Sequence, residues 1–195
     1  MRKLLFAVTA SAVALAVQFA WAQGGAAPAP VEPPKVEAPK VETPATLVLF
    51  DFETEDDLKK CEANKNAEAA ISTEHATSGK QSMKLTLKGG TDFPGVYADK
   101  FAPKDWSAYS KLKIDVFADQ AVAMGLTIKD AKSKDYASRY NNDKVKIEKG
   151  ANTITVELVD VSDKIDLKTI RSFSLFTHKA EKDVTIYVDN IRLEK

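Results

Sequence analysis

Val184-Thr185-Ile186-Tyr187-Val188-Asp189-Asn190-Ile191-Arg192-Leu193 is the strongest strand signal in the sequence, rich in β-branched and aromatic residues and free of Gly and Pro. Both alternating sets are largely apolar: Val184, Ile186 and Val188 in one, Tyr187, Ile191 and Leu193 in or near the other. A strand that buries both faces belongs inside a sheet rather than on its rim. Asp189 and Asn190 interrupt this run, and a carboxylate there requires a partner because an unpaired buried charge is costly. The best candidate partner segment is Leu47-Val48-Leu49-Phe50-Asp51-Phe52-Glu53, an equally apolar strand that ends in acids.

Between these two strands the sequence repeats one theme. Met83, Leu85 and Leu87 alternate with Lys84, Thr86 and Lys88; Leu112, Ile114 and Val116 with Lys111, Lys113 and Asp115; Ile154, Val156 and Leu158 with Thr153, Thr155 and Glu157. Shorter runs of the same kind stand at Ala67–Glu74, Val96–Phe101, Leu126–Ile128, Val145–Ile147 and Phe173–Leu175. Turn chemistry separates them, as in Thr77-Ser78-Gly79-Lys80, Gly89-Gly90, Phe93-Pro94-Gly95 and Lys149-Gly150-Ala151-Asn152. Only Asp56–Ala63 and Asp163–Ile170 read as helices, both short. Many short alternating strands with regular turns predict an all-β fold, an antiparallel β-sandwich over residues 46–195.

The first 45 residues read differently. Met1-Arg2-Lys3 is a basic head, Leu4–Ala20 is apolar and uncharged, and Ala20-Trp21-Ala22 offers a small-x-small cleavage pattern. Residues 1–22 therefore read as a signal peptide, and the protein is expected to be exported, periplasmic or extracellular, with no membrane span in the mature chain. Residues 23–45 carry a five-residue repeat, Val31-Glu32-Pro33-Pro34-Lys35, Val36-Glu37-Ala38-Pro39-Lys40, Val41-Glu42-Thr43-Pro44-Ala45. A proline in each repeat favours polyproline II, and at roughly 3.1 Å per residue the segment is expected to act as a disordered, semi-rigid tether.

Charge and cysteine exclude several classes. Basic and acidic residues balance at 28 each, and removal of the leader takes Arg2 and Lys3, leaving a net charge of −2. With no basic block there is no electrostatic footprint for nucleic acid. Cys61 is the single cysteine, so no internal disulfide supports the domain, which is expected to be monomeric. His75 and His178 stand outside any zinc spacing or nucleophile motif, so a non-catalytic role is expected.

Phe50-Asp51-Phe52-Glu53, Ser78-Gly79-Lys80-Gln81-Ser82, Asp105-Trp106-Ser107-Ala108-Tyr109, Leu112–Phe117, Lys149-Gly150-Ala151-Asn152-Thr153 and Ile186–Ile191 follow one another in an order that resembles the galactose-binding-like jelly-roll domains, which include several families of bacterial carbohydrate-binding modules. The resemblance covers Leu47–Lys195 and implies a jelly roll. It also implies a structural calcium, with Glu53, carbonyls around Ser78 and Lys80, and Asp189 as ligands. The alternative is that Asp189 and Asn190 form a bulge or accept from backbone amides, with Glu53 exposed. Trp106 and Tyr109 are expected to pack a loop.

A sugar ligand, a polysaccharide or oligosaccharide, requires flat aromatic surface and fixed polar groups. Phe117 is out of phase with Leu112 and Ile114, Phe176 is out of phase with Phe173 and Leu175, and His178 shares the outward parity of Phe176. Tyr97 points outward if Val96 points inward, and Tyr136, Arg139 and Tyr140 stand together in a polar stretch. If these strands share the concave sheet of the resembled fold, the seven residues form a glycan groove. A cell-envelope structural or protein-interaction module without a sugar ligand is the alternative.

Overall fold

The computed structural model describes residues 43–195. The expected leader, residues 1–22, and residues 23–42 of the expected tether lie outside the described residues. In chain order the elements are β1 (Thr46–Phe50), α1 (Glu55–Lys60), β2 (Cys61–Ala63), β3 (Ala67–Ser72), β4 (Ser82–Leu87), β5 (Gly95–Ala98), β6 (Lys111–Ala118), β7 (Val122–Asp130), β8 (Tyr140–Ile147), β9 (Gly150–Glu157), α2 (Leu158–Ser162), a 3-10 turn (Leu167–Thr169), β10 (Ile170–Phe176) and β11 (Val184–Glu194).

The strands form two antiparallel sheets. One has the order β3-β4-β11-β6-β9, with β1 also paired to β11; the other has the order β2-β5-β10-β7-β8. The expected β-sandwich is therefore present, and β11 lies in the interior of its sheet, as its apolar sequence requires. Leu85, Leu112, Ile114, Val116, Ile186 and Val188 from the six-stranded sheet share one core with Val96, Met124, Leu126, Ile128, Phe173 and Leu175 from the five-stranded sheet. Truncating one such side chain to alanine typically costs about 2–5 kcal/mol. Trp106 closes one end of this core. It is fully buried against Phe101 and Phe173, and its indole N–H donates to the Pro103 carbonyl at 3.2 Å.

The two apolar parities of β11 have a specific cause. Val184, Ile186 and Val188 face the core, the register then slips between Asp189 and Arg192, and Ile191 and Leu193 face the core again. Asn190 sits at φ +48 in this bulge, a left-handed conformation that asparagine tolerates better than most residues. Tyr187 lies on the outer face.

Both helix expectations need correction. The first helix stops at Lys60, because Cys61 and Ala63 pair with Ala98 and Val96 as the edge strand β2. The second lies earlier than expected, at Leu158–Ser162, where Leu158 and Val161 are buried. Of residues 163–170 only Leu167–Thr169 are helical, a 3-10 turn started by the Asp166 carboxylate accepting from the Lys168 amide, and Ile170 already begins β10.

Candidate functional site

The alternation that buries Phe173 and Leu175 turns Ser174 and Phe176 to the outer face of the five-stranded sheet. On β5 it turns Gly95 and Tyr97 outward, and on β7 Gly125 and Thr127. Phe176 is paired across the sheet with Gly95 on one side and Gly125 on the other. A Cβ at Gly125 would stand 2.5 Å from Phe176 Cζ, so the missing side chain is what lets the ring lie over β7. Such an aromatic beside glycines presents a broad apolar surface on a rigid floor.

Loops complete the walls. Phe93, in the turn before β5, meets Phe176 at 5.9 Å and His178 at 5.5 Å between ring centres, both edge-to-face, and Phe176 and His178 stand 5.5 Å apart. The turn is pinned by the Asn64 side-chain amide donating to the Phe93 carbonyl at 2.6 Å, and by the Phe93 amide donating to the His178 carbonyl at 3.1 Å. On the far side, the Tyr136 hydroxyl donates to Asp143 Oδ2 at 2.6 Å, which holds its phenol above the ordinary pKa. His178 Nε2 lies 3.6 Å from Asp143 Oδ1. The Arg139 guanidinium lies 4.9 Å from the Tyr136 ring centre, and its Nε donates to Asn141 Oδ1 at 2.9 Å.

The result is a groove of about 340 Å³ lined by aromatic faces and a few polar groups, among them Asn64, Thr127, Arg139 and Asp143. Phe93 and Tyr136 are more than half exposed (54% and 59%), so their rings are open to a ligand. Five of the seven expected groove residues line it: Tyr97, Tyr136, Arg139, Phe176 and His178.

The other two do not. Phe117 does point outward as its parity predicts, but from β6, so it is on the opposite side of the sandwich from Phe176. There His75 stacks on it at 3.4 Å, and both border a second depression with Thr77, Asp115, Asn152 and Arg192. Tyr140 is paired with Ile128 and packs against the core, so it belongs to the inner face of β8. Phe93, Asn64 and Asp143 escaped the sequence reading. The signal for Phe93 was a large aromatic in a turn of Asp, Pro and Gly, where a polar residue would serve; Asn64 and Asp143 had none.

The four residues expected around calcium meet at the opposite face, around the turn of residues 77–81. Glu53 Oε1 accepts from the amides of Lys80 and Gln81, both at 2.7 Å. Asp189 Oδ2 accepts from the amides of Thr77 at 2.6 Å and Ser78 at 2.8 Å, and Oδ1 from the Asn190 amide at 2.7 Å. The hydroxyl of Thr77 lies between Asp189 Oδ2 at 3.1 Å and Asp115 Oδ2 at 3.2 Å. Calcium needs oxygens converging on one point, whereas these carboxylates converge on N–H groups of the same positive polarity as a cation. As arranged, the donor set does not fit calcium. Among the described residues, no group of three His, Cys, Asp or Glu side chains could hold a metal ion.

No protein-family model matches the chain, and no curated protein matches it in sequence. Solved structures do match in fold. An exo-β-agarase superposes with a TM-score of 0.64 at 20% identity over 75% of this chain, which spans 25% of that enzyme's length. The family 11 carbohydrate-binding module from Clostridium thermocellum, solved with a β-1,3-1,4-mixed-linked tetrasaccharide, superposes with a TM-score of 0.59 at 19% identity, over 78% of this chain and 97% of the module. The agarase AgWH50C matches with a TM-score of 0.62 at 18% identity, over 78% of this chain and 25% of its own. The likeness shows the fold: a jelly-roll β-sandwich of the kind found in carbohydrate-binding modules.

Proposed function

We propose that this chain is an exported, non-catalytic carbohydrate-binding domain that captures a glycan on the outer face of its five-stranded sheet. The observation that carries the reading is the groove in which Phe93, Phe176, His178 and Tyr136 surround a floor kept flat by Gly95 and Gly125. Pyranose rings have apolar faces that pack on aromatic rings, and their hydroxyls need fixed acceptors and donors such as Asp143, Asn64 and Arg139. A module of the same fold holds a tetrasaccharide, which supports the class of ligand. The two-carboxylate chemistry of glycoside hydrolysis needs a second acid. Asp143 is the one carboxylate lining the groove among the described residues, and it is engaged by Tyr136 and His178. The domain acts as a monomer, with residues 23–45 as its tether.

Affinity electrophoresis of the protein through gels containing agarose, mixed-linkage β-glucan or xylan tests the reading. Retention by at least one polymer is expected, with loss of about tenfold or more in the double variant Phe93→Ala/Tyr136→Ala. Both rings are more than half exposed, so stability should change by less than about 0.5 kcal/mol each. Free migration in every gel, or retention untouched by the double variant, would overturn it.

A further inference from the structure

The outward row of β7 continues past the groove floor. Gly125 and Thr127 line the groove, and Lys129 is the next residue on the same face. Lys129 is flanked from both neighbouring strands. The pairing of Thr127 with Asn141 and Ile128 with Tyr140 brings Arg139 to the position beside it. On the other side Lys129 pairs with Ser172, and Arg171 is the extra residue where the β7–β10 register slips. Burial, together with the Arg139 and Arg171 guanidiniums, lowers the Lys129 pKa, so the three cations feel one another.

The described residues contain three arginines. Arg192 is bound to Asp115 and Glu194, both at 2.8 Å. Arg139 and Arg171, like Lys129, have no carboxylate within ion-pair distance among the described residues. Asp143, the carboxylate that lines the groove, holds Tyr136, and Asp99 Oδ2, outside it, accepts from the Tyr97 hydroxyl at 3.3 Å. Other lysines do find acids, as in Lys88 with Glu68, Lys113 with Glu194 and Lys100 with Glu62. Like charges gathered in one place repel one another, and a bound anion relieves that repulsion.

We infer that the glycan bound in this groove is anionic, and that Arg139, Lys129 and Arg171 hold its sulfate or carboxylate groups while its sugar rings pack on Phe93, Phe176 and Tyr136. The inference rests on the glycan-binding reading and names its substrate class. Arg139 joins the two parts, since it stacks on Tyr136 and faces Lys129. A guanidinium matches the planar or tetrahedral oxyanion geometry of both groups.

Four gels test it: a sulfated galactan, the same polymer after desulfation, a polyuronate, and its carboxyl-reduced form. The protein should be retained about tenfold or more strongly by one anionic polymer than by its neutral counterpart, and the pair that shows the difference identifies sulfate or carboxylate. Rising salt should weaken that retention. Arg139→Gln and Lys129→Gln should each reduce it by about tenfold, the scale of one charge-assisted hydrogen bond, and Lys164→Gln should not. Equal retention by charged and neutral forms would overturn the anionic assignment and leave the glycan-binding reading standing. Anionic retention that survives Phe93→Ala/Tyr136→Ala, or that falls equally in Lys164→Gln, would reduce it to ion exchange and overturn it. Retention by none of the four overturns it as well, and the neutral panel above then decides the broader reading.

Discussion

Tyr187 stands on the outer face of β11, yet it is only 5% exposed, beneath His75, Phe117 and the Lys84 ammonium. Its hydroxyl donates to Glu74 Oε2 at 2.6 Å. Ionising it would set a phenolate against a carboxylate, so its pKa is pushed up to about 12. A folded-state pKa above the ordinary tyrosine value of about 10 contributes stability in full below pH ~10 and loses it as pH rises through 12. The melting temperature should therefore fall between pH 10 and 12, and Tyr187→Phe should flatten part of that fall. Tyr136, Tyr140 and the buried Cys61 thiol shift in the same direction and add to that fall. Glu74 moves the other way, held down by the Tyr187 hydroxyl, so its contribution is present above its ordinary pKa and lost on acidification. Asp189 is the second residue with a measurable consequence. Its carboxylate is 1% exposed and satisfies three amides, so Asp189→Ala should cost about 3 kcal/mol in chemical denaturation. Chelator tests calcium directly. With amides as the partners the wild-type melt does not respond to it; a chelator-dependent fall that disappears in Asp189→Ala would place calcium at Glu53 and Asp189. That Asp189 needed partners was legible from the apolar run around it. Their identity was not, because the turn of residues 77–81 lies more than a hundred positions away in the chain.

Strand alternation tells which way a side chain points but not which sheet carries it. Phe176 and Phe117 were both legible as outward, since Phe173 and Leu175 set the phase of β10 and Leu112 and Ile114 that of β6. Their separation to opposite sides follows from a crossover order, β6 beside β11 and β10 beside β7, that periodicity does not encode. Tyr140 was lost for a related reason: the loop before β8 has no period, and the phase begins only where Tyr140 meets Ile128. The glycines opposite Phe176 were visible in the sequence, but their purpose appears only in the register. Gly125→Ala is the test at this scale. The new methyl must displace the Phe176 ring, so glycan retention should fall by about tenfold while stability falls by about 1 kcal/mol, the lower end for an overpacked site. Unchanged retention would mean that the position of the ring over β7 is immaterial to binding.

The whole domain holds together through one core between two sheets, with no covalent staple among the described residues. Cys61 is buried, and burial pushes its thiol up to about 12, far from the thiolate form that reacts. The melt should accordingly be the same with and without reductant, and thiol labelling should occur only on unfolding. The sandwich class was legible from the spacing of turns, since every alternating run between Leu47 and Leu193 supplied a strand. The edge strand β2 was not, because three residues are too few to show a period. The position of β11 has a further consequence, in time rather than in space. A ribosome delivers this strand after the ten others, yet β4, β6 and β1 all pair with it, and β1 pairs with nothing else. Until residues 184–194 emerge, one of the two sheets has no middle, and the pairs β3-β4 and β6-β9 have nothing to join them into one wall of the core. The domain therefore cannot close before this strand has been made, and a chain not yet closed is the form that residues 1–22, read as an export leader, would carry to a membrane.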